Sequence, residues 1–441
     1  MTVLPAPEDG SLHPPTRTGL ARGFGALSVR NYRIYWIGQI VTNSGSWMQQ
    51  VSLPWLVLAL GGSPIQLGAV AALQYGPAFF LAPFGGVMAD RIDKRRALIA
   101  AHAAGLAQVT ALFLLCVTGL ISLPLVLLMA LWIGVVNGVE MPMRHSFAPD
   151  LVPRHLLPNA IALQGMAFNT ARVIGPAIAG AIIGVATTAF GSTIAGVAAT
   201  MAVSVAAYSA VLVALLRMDP SAIRQAPHAT SVQPVLSSLG EGIRFARTHP
   251  IVLWSLILTA GITTFGFNFQ ILLPLYARDV LGLDAAGYGA LFACLGVGSI
   301  TGSLALAFMR QRPALALMLG GCTAFGSGLA ALALNSLVLV ALPIVFVLGM
   351  CWMLTMNTVN ATIQANVTDA LRGRVMALYI TVFVGGAPVG GILAGALAEA
   401  FGTPTTLLIC SLLTLSVVVL AAIGLRVGHG RAGLGVTHID G

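Results

Sequence analysis

Arg172 is the side chain that demands most of its surroundings. It lies about 14 residues into the apolar stretch 158–186, which as a helix places it roughly 20 Å along the axis. If that stretch crosses a bilayer, the guanidinium sits near the centre, where an Arg costs about 2.5–3.5 kcal/mol on insertion scales. Such a group must face a hydrated cavity or a partner. It can attract an anionic group of a ligand, or form a structural pair with Glu140 or with backbone carbonyls. Glu140 is the acidic residue that falls well inside another apolar stretch, which makes it a candidate proton carrier. Arg144, one turn along the same face, favours the charged carboxylate and makes an ion pair the alternative.

Two polar stripes accompany these charges. Gln39, Asn43, Ser46 and Gln50 recur at near-helical spacing with Trp36 and Trp47 nearby, and Thr263, Thr264, Asn268 and Gln270 answer them in a later stretch. One amide inside a membrane is interhelical glue, whereas a face of them in equivalent spans suits a hydrated central cavity. Asn169, Asn357 and Asn360 complete the candidate wall, and the tryptophans would stack on or shield an amphipathic ligand. His102 reads as a core histidine rather than a proton relay.

The elements that must position these groups follow from composition. Of 441 residues, 57% are hydrophobic and 8% charged, against roughly 25% charged in a soluble domain. Lipid must therefore solvate most of the surface. Apolar stretches long enough to span fall at about 33–60, 65–89, 97–119, 123–146, 158–186 and 193–216. Six more fall at 250–276, 286–309, 313–334, 337–362, 372–399 and 404–425. Continuous apolar runs predict helices, since barrel strands would alternate. The expected fold is thus an all-α integral membrane protein of about twelve helices in two pseudo-symmetric six-helix bundles.

Charge supplies the orientation. Of the 22 Lys and Arg residues, twenty fall in the tails and alternate connections, Arg278 falls opposite, and Arg172 lies within a span. That bias predicts both termini in the cytoplasm of a bacterial-type inner membrane. It also accounts for the net charge of +9, and no basic patch interleaved with aromatics points to nucleic acid. The segments expected are a tail 1–31, a first bundle 32–217, a cytoplasmic linker 218–249 with a short amphipathic surface helix, a second bundle 250–426 and a tail 427–441. The five cysteines all lie in apolar spans without a CxxC pair, so buried free thiols are expected and no metal site. No cleavable signal peptide is visible in residues 1–30.

A weak repeat supports two halves. Gln50, Leu53 and Pro54 recur as Gln270, Leu273 and Pro274, an offset of 220. After a five-residue loop difference, Gly175, Ala179 and Gly180 match Gly390, Ala394 and Gly395. The counterparts of Glu140, Arg144 and Arg172 are Asn360, Gln364 and Ala387, so the first half is expected to carry the ionic work.

The sharpest local motif is GGVMADRIDKRR, Gly85 to Arg96, between spans two and three: Gly85, Gly86, Asp90, Arg91, Arg95 and Arg96. It resembles the loop signature of the major facilitator superfamily, with Asp93 where that family usually has glycine. Further along come Glu-Met-Pro-Met-Arg from Glu140, Pro-Asp-Leu-Val-Pro-Arg at Pro149–Arg154, Phe-Asn-Thr-Ala-Arg at Phe168–Arg172 and Leu-Arg-Gly-Arg-Val-Met at Leu371–Met376. These resemble the exporter branch that includes the enterobactin exporter and macrolide-efflux-type proteins. The resemblance implies efflux by alternating access driven by proton antiport, without naming the cargo. It also implies a cytoplasmic gate in which Asp90 bonds Arg144 and the network reaches Arg372 and Arg374. Gly175, Pro176 and Gly180 resemble the antiporter signature, whose proline bends the helix as a pivot or a packing kink.

The expectation is a proton-coupled secondary exporter of small amphipathic compounds, drug-like molecules or siderophores. No cofactor is expected beyond the proton gradient, and the partners are substrate, protons and lipids, with a monomer sufficient. A lipid or lysolipid translocator is the alternative within transport. A transport-dead sensor or an intramembrane enzyme is the alternative of another class, but no convergent catalytic set, nucleotide-binding loop or zinc motif appears.

Overall fold

The computed structural model describes residues 24–89, 92–223, 235–309 and 314–433, and among these it contains helices and no strand. The first half comprises α1 (Arg30–Ala59), α2 (Pro64–Ala89), α3 (Lys94–Val117), α4 (Leu123–Phe147), α5 (Leu157–Phe190) and α6 (Thr193–Leu216). A short helix α7 (Val235–Thr248) leads into the second half. There α8 (Pro250–Gly261) and α9 (Phe269–Leu275) form one interrupted span, followed by α10 (Ala285–Phe308), α11 (Ala314–Ala333), α12 (Val338–Ala365), α13 (Asp369–Phe401) and α14 (Thr403–Gly433).

Ten described helical stretches are both long and apolar enough to cross a membrane. The expected count of twelve is reached only with α1 and α2, which have the length at 30 and 26 residues. The polar stripe dilutes α1. Helix ends follow local chemistry. Asp93, Ser192 and Asp284 cap α3, α6 and α10 through the backbone N–H three residues on, each satisfying an orphan donor. At the end opposite the basic clusters, Gly191 closes α5 with φ +64° and Gly402 closes α13 with φ +77°, a conformation that disfavours a side chain. Asp93, the departure from the superfamily loop, therefore has a structural role as the cap of α3.

Packing inside a lipid-solvated bundle depends on small residues, because apolar burial gives little drive between helices there. α10 and α12 illustrate it. Gly298 and Gly302 lie against the backbone at Phe346 and Met350, and Gly349 lies against the Leu295 carbonyl, too close for any added Cβ.

The two halves meet along two helix pairs, α5 with α10 and α2 with α13. A Cβ on Gly180 would come within 2.8 Å of the Ala285 carbonyl, and one on Gly289 within 2.7 Å of that of Pro176. Across the other pair, Gly68 abuts the Gly391 carbonyl, and a Cβ on Gly395 would meet the Pro64 carbonyl at 2.7 Å. The repeat read from sequence is visible in these contacts. Gly180 and its counterpart Gly395 each seat on the opening turn of a helix from the opposite half. Gly175 packs on the Ser44 carbonyl of α1, and its counterpart Gly390 packs on that of Thr264, 220 residues later.

Within the expected linker, α7 does more than lie on a surface. Glu241 pairs with Arg374, and a Cβ on Gly242 would meet the Arg374 carbonyl at 3.0 Å, so the helix is seated on the first turns of α13.

Replacing Gly349 by Leu is expected to lower the melting temperature of the detergent-purified protein by several degrees, since overpacking costs about 1–3 kcal/mol. Gly320, with open space around it, is expected to accept Ala without loss.

Candidate functional site: the polar layer between the halves

The candidate cavity residues separate into an axial layer and flanking walls. On the axis, Gln270 donates to Gln50 and, at 2.5 Å, to the Tyr75 hydroxyl, while Gln50 Nε2 donates to the same hydroxyl at 3.1 Å. Gln50 and Gln270 are repeat counterparts, so the pseudo-twofold axis brings them together. Tyr75, which was missed from sequence, bridges them from α2. Its signal was available as a Gln-Tyr pair inside an otherwise apolar run.

Aromatic rings flank this layer, with Trp55 on the side away from the basic end and Trp47 nearly one turn toward it. Trp55 stacks on Tyr288 with centroids 5.8 Å apart, and Trp47 packs against Phe292 at 6.1 Å and Phe168 at 5.7 Å. The backbone of Gly175 lies directly behind Trp47, where a Cβ would fall 2.6 Å from the indole's own Cβ. Pro176 sits inside α5 and its carbonyl faces Gly289. Pro176 and Gly180 thus belong to the surface on which the halves touch, while Gly175 packs within the first half. Toward the basic end Gly165 faces open space and Phe168 is exposed.

Arg172 is buried at 9% exposure just below these contacts. One arm donates to Asn169 Oδ1 at 3.1 Å, and its Nε has no hydrogen-bond partner. Asn169 in turn donates to the Gly165 carbonyl. The pairing of Arg172 with Glu140 that the sequence left open does not occur. Glu140 instead lies 3.5 Å from Arg144 Nε and 3.8 Å from His102 Nε2. Arg144 also donates to Asn43 Oδ1 at 3.1 Å, which joins this cluster to the polar stripe of α1. Gln39 is buried on that stripe with its Nε2 unpartnered.

The second-half wall is neutral. Asn268 donates to the Thr264 carbonyl at the break between α8 and α9, where a π-helical turn, Ile262–Gly266, interrupts the span. Such turns recur at functional sites, and this one presents Phe267 to Trp352, stacked at 3.8 Å. Asn357 donates to Ser303, and Asn360 accepts from Gln364. Trp36 is less exposed to the axis than its spacing suggested, since its indole donates to the Leu163 carbonyl on α5.

Of the loop motif, Gly85 and Gly86 lie on α2, and Asp90 and Arg91 lie outside the described residues. Arg95 donates to the carbonyls of Leu215 and Leu216 at the end of α6. Arg96 forms an exposed pair with Asp93. Lys94, overlooked in sequence, pairs with Asp150 at 2.7 Å and ties α3 to the turn after α4. Arg374 meets Glu241 of α7, and Arg372 is exposed two residues before it.

The axial layer makes a direct prediction. A cysteine replacing Phe292 is expected to react slowly with a membrane-impermeant maleimide. Adding Tyr75→Phe and Gln270→Leu is expected to raise labelling several-fold from the side opposite the basic loops.

Residues 21–434 match the family described as transmembrane secretion effector. The chain is 26% identical over 380 residues to the Staphyloferrin A transporter of Staphylococcus aureus, covering 85% of this chain and 91% of that protein. It is 25% identical over 386 residues to the multidrug efflux pump Tap of Mycolicibacterium fortuitum, covering 85% and 90%. It is 25% identical over 378 residues to the enterobactin exporter EntS of Escherichia coli O139:H28, covering 83% and 85%. Its fold matches the nucleoside transporter NupG with a TM-score of 0.74 at 10% identity, over 90% of this chain and all of that one. A bacterial homolog of the lysosomal transporter Spinster matches at 0.70 and 15%, over 93% and 98%. The chain belongs to the transmembrane secretion effector family, a branch of the major facilitator transporters.

Proposed function

We propose that this chain is a proton-coupled exporter of small amphipathic compounds, drug-like molecules or siderophores, working as a monomer by alternating access. Its relatives are named for siderophore transport and multidrug efflux, which supports the cargo class. The basic loops face the cytoplasm in this reading, in keeping with the charge bias, and the end joined by Gly180, Gly289, Gly68 and Gly395 faces outward. Rocking of one half on the other exposes the axial layer to each side in turn.

The observation that carries the reading is Arg172. Among the described residues no carboxylate neutralises it, although it is buried beside the surface where the halves touch. A cation left in this state at mid-membrane depth is expensive, and an anionic group of the cargo is the partner that relieves it. The orphan Nε offers the donor. The neutral aromatic wall around Phe267 and Trp352 suits the apolar remainder of an amphiphile.

A thermal-shift screen against anionic, cationic and neutral amphiphiles tests this. A ligand at a hundredfold excess over Kd stabilises by ~2.7 kcal/mol. Anionic compounds are expected to raise the melting temperature of the native protein and to lose that effect in Arg172→Ala. Stabilisation by cations alone, unchanged by the substitution, would return Arg172 to a structural role.

A further inference from the structure

His102 is not satisfied by its surroundings as a core histidine should be. Its Nε2 lies 3.8 Å from Glu140 Oε1, and neither atom has a hydrogen-bond partner among the described residues. Arg144 Nε approaches the same oxygen at 3.5 Å. An imidazole and a guanidinium thus converge on one carboxylate oxygen, deep between α3 and α4. The His102 side chain is 5% exposed and that of Arg144 is 15%, so Arg144 is the member nearer water. Its other arm already rests on Asn43 of the axial stripe.

The remaining charged or ionisable neighbours are few. His145 follows Arg144 on α4, Tyr35 faces the pair from α1, and Tyr208 faces it from α6; all three lie within electrostatic reach of Glu140. On α2 the ionisable side chain among those described is Tyr75, engaged with the two glutamines. On α3 itself the charges cluster at the basic end, where Lys94 is held by Asp150 and Arg95 by α6. Nothing among these groups competes with His102 and Arg144 for the carboxylate.

We propose that His102 is the proton-binding residue of this cluster, and that its protonation transfers Glu140 from Arg144 to His102. This rests on the proton-coupled reading above. The step is a proton transfer: a hydronium ion in the cavity gives up one O–H bond as the unprotonated ring nitrogen gains an N–H bond, leaving a water molecule and an imidazolium whose two nitrogens both donate. Two cations then face one oxygen. Arg144 is the one that yields, because Asn43 offers it a second acceptor and water is closer. A proton bound inside the first half thereby sets where a positive charge stands on the cavity wall. His102 acts here as a positioning residue for Arg144, without touching the cargo.

The test follows conformation rather than an unidentified cargo. Spin labels at Ile161→Cys and Leu304→Cys, both exposed on α5 and α10 at the basic end, report the separation of the halves in nanodiscs across pH 5 to 9. The parent protein is expected to shift its distance distribution with a midpoint between about pH 5 and 8, the range an imidazole supplies. His102→Asn and His102→Gln are expected to lose the shift. Glu140→Gln is expected to lower the midpoint by about one pH unit or more, because the carboxylate no longer favours the protonated ring. Histidine variants that keep the parent midpoint would overturn the inference and leave proton coupling standing. A parent whose distances ignore pH would overturn the proton-coupled reading and this inference with it. If both histidine variants fail to fold, Glu140→Gln decides, since an unchanged midpoint excludes a His102–Glu140 unit.

Discussion

Backbone-to-backbone contact at glycine is the constraint on which this structure depends. In lipid, helices gain little from burying apolar side chains against one another, so close approach and its dispersion and polar contacts must hold the bundle. Gly180 on Ala285, Gly289 on Pro176, Gly68 on Gly391 and Gly395 on Pro64 let the halves touch without intervening side chains. These contacts bring Gln50, Tyr75 and Gln270 within bonding distance on the axis. They also carry Arg172 to the edge of the interface, where Gly296 packs against its carbonyl. A bulky residue at any of these glycines would move every polar group in the layer.

The same constraint explains why charge is divided unequally between two halves of one architecture. Each half supplies equivalent glycines and an equivalent glutamine, because closure needs both. Buried charge is needed once, and each instance costs several kcal/mol unless paired or hydrated. Glu140, Arg144, His102 and Arg172 all lie in the first half. At the corresponding places the second half has Asn360, Gln364 and Ala387, and it builds an aromatic and amide wall instead. The halves are therefore symmetric in their glycine contacts and asymmetric in their buried charge.

Much of this was legible in the sequence, for physical reasons that also mark where reading stopped. Helical spans and their grouping follow from apolar length, and α3 to α6 fall within a few residues of expectation. The Gln50–Gln270 and Gly175–Gly390 repeats were visible because duplication preserves spacing. Partners were not visible, because they depend on helix rotation. Spacing placed Arg144 beside Glu140 on one helix face, but nothing local says that His102 of α3 turns toward the same oxygen. Trp36 shared the stripe's periodicity yet points its indole to α5. Glu241 was hidden in a linker, where only the docking of α7 gives it Arg374. Asp93 looked like a defect in a glycine position, and its role as a cap emerges only with the backbone of α3 in view.

If the halves rock about the axial layer, the outer contact between α2 and α13 must open in every cycle. The Ile65 N–H donates to Glu399 there at 3.1 Å, so a cysteine pair at these two positions, oxidised together with a short dithiol spacer that makes up the length of the lost carboxylate arm, can lock it. The decisive measurement is proton-gradient-driven uptake into inverted vesicles, with ethidium and a catecholate siderophore as probes, before and after oxidising Ile65→Cys/Glu399→Cys. Alternating access requires that oxidation stop uptake and that a reductant restore it. Undiminished uptake by the oxidised protein would mean that this contact never opens, and that the cargo crosses by a route other than the interface between the halves.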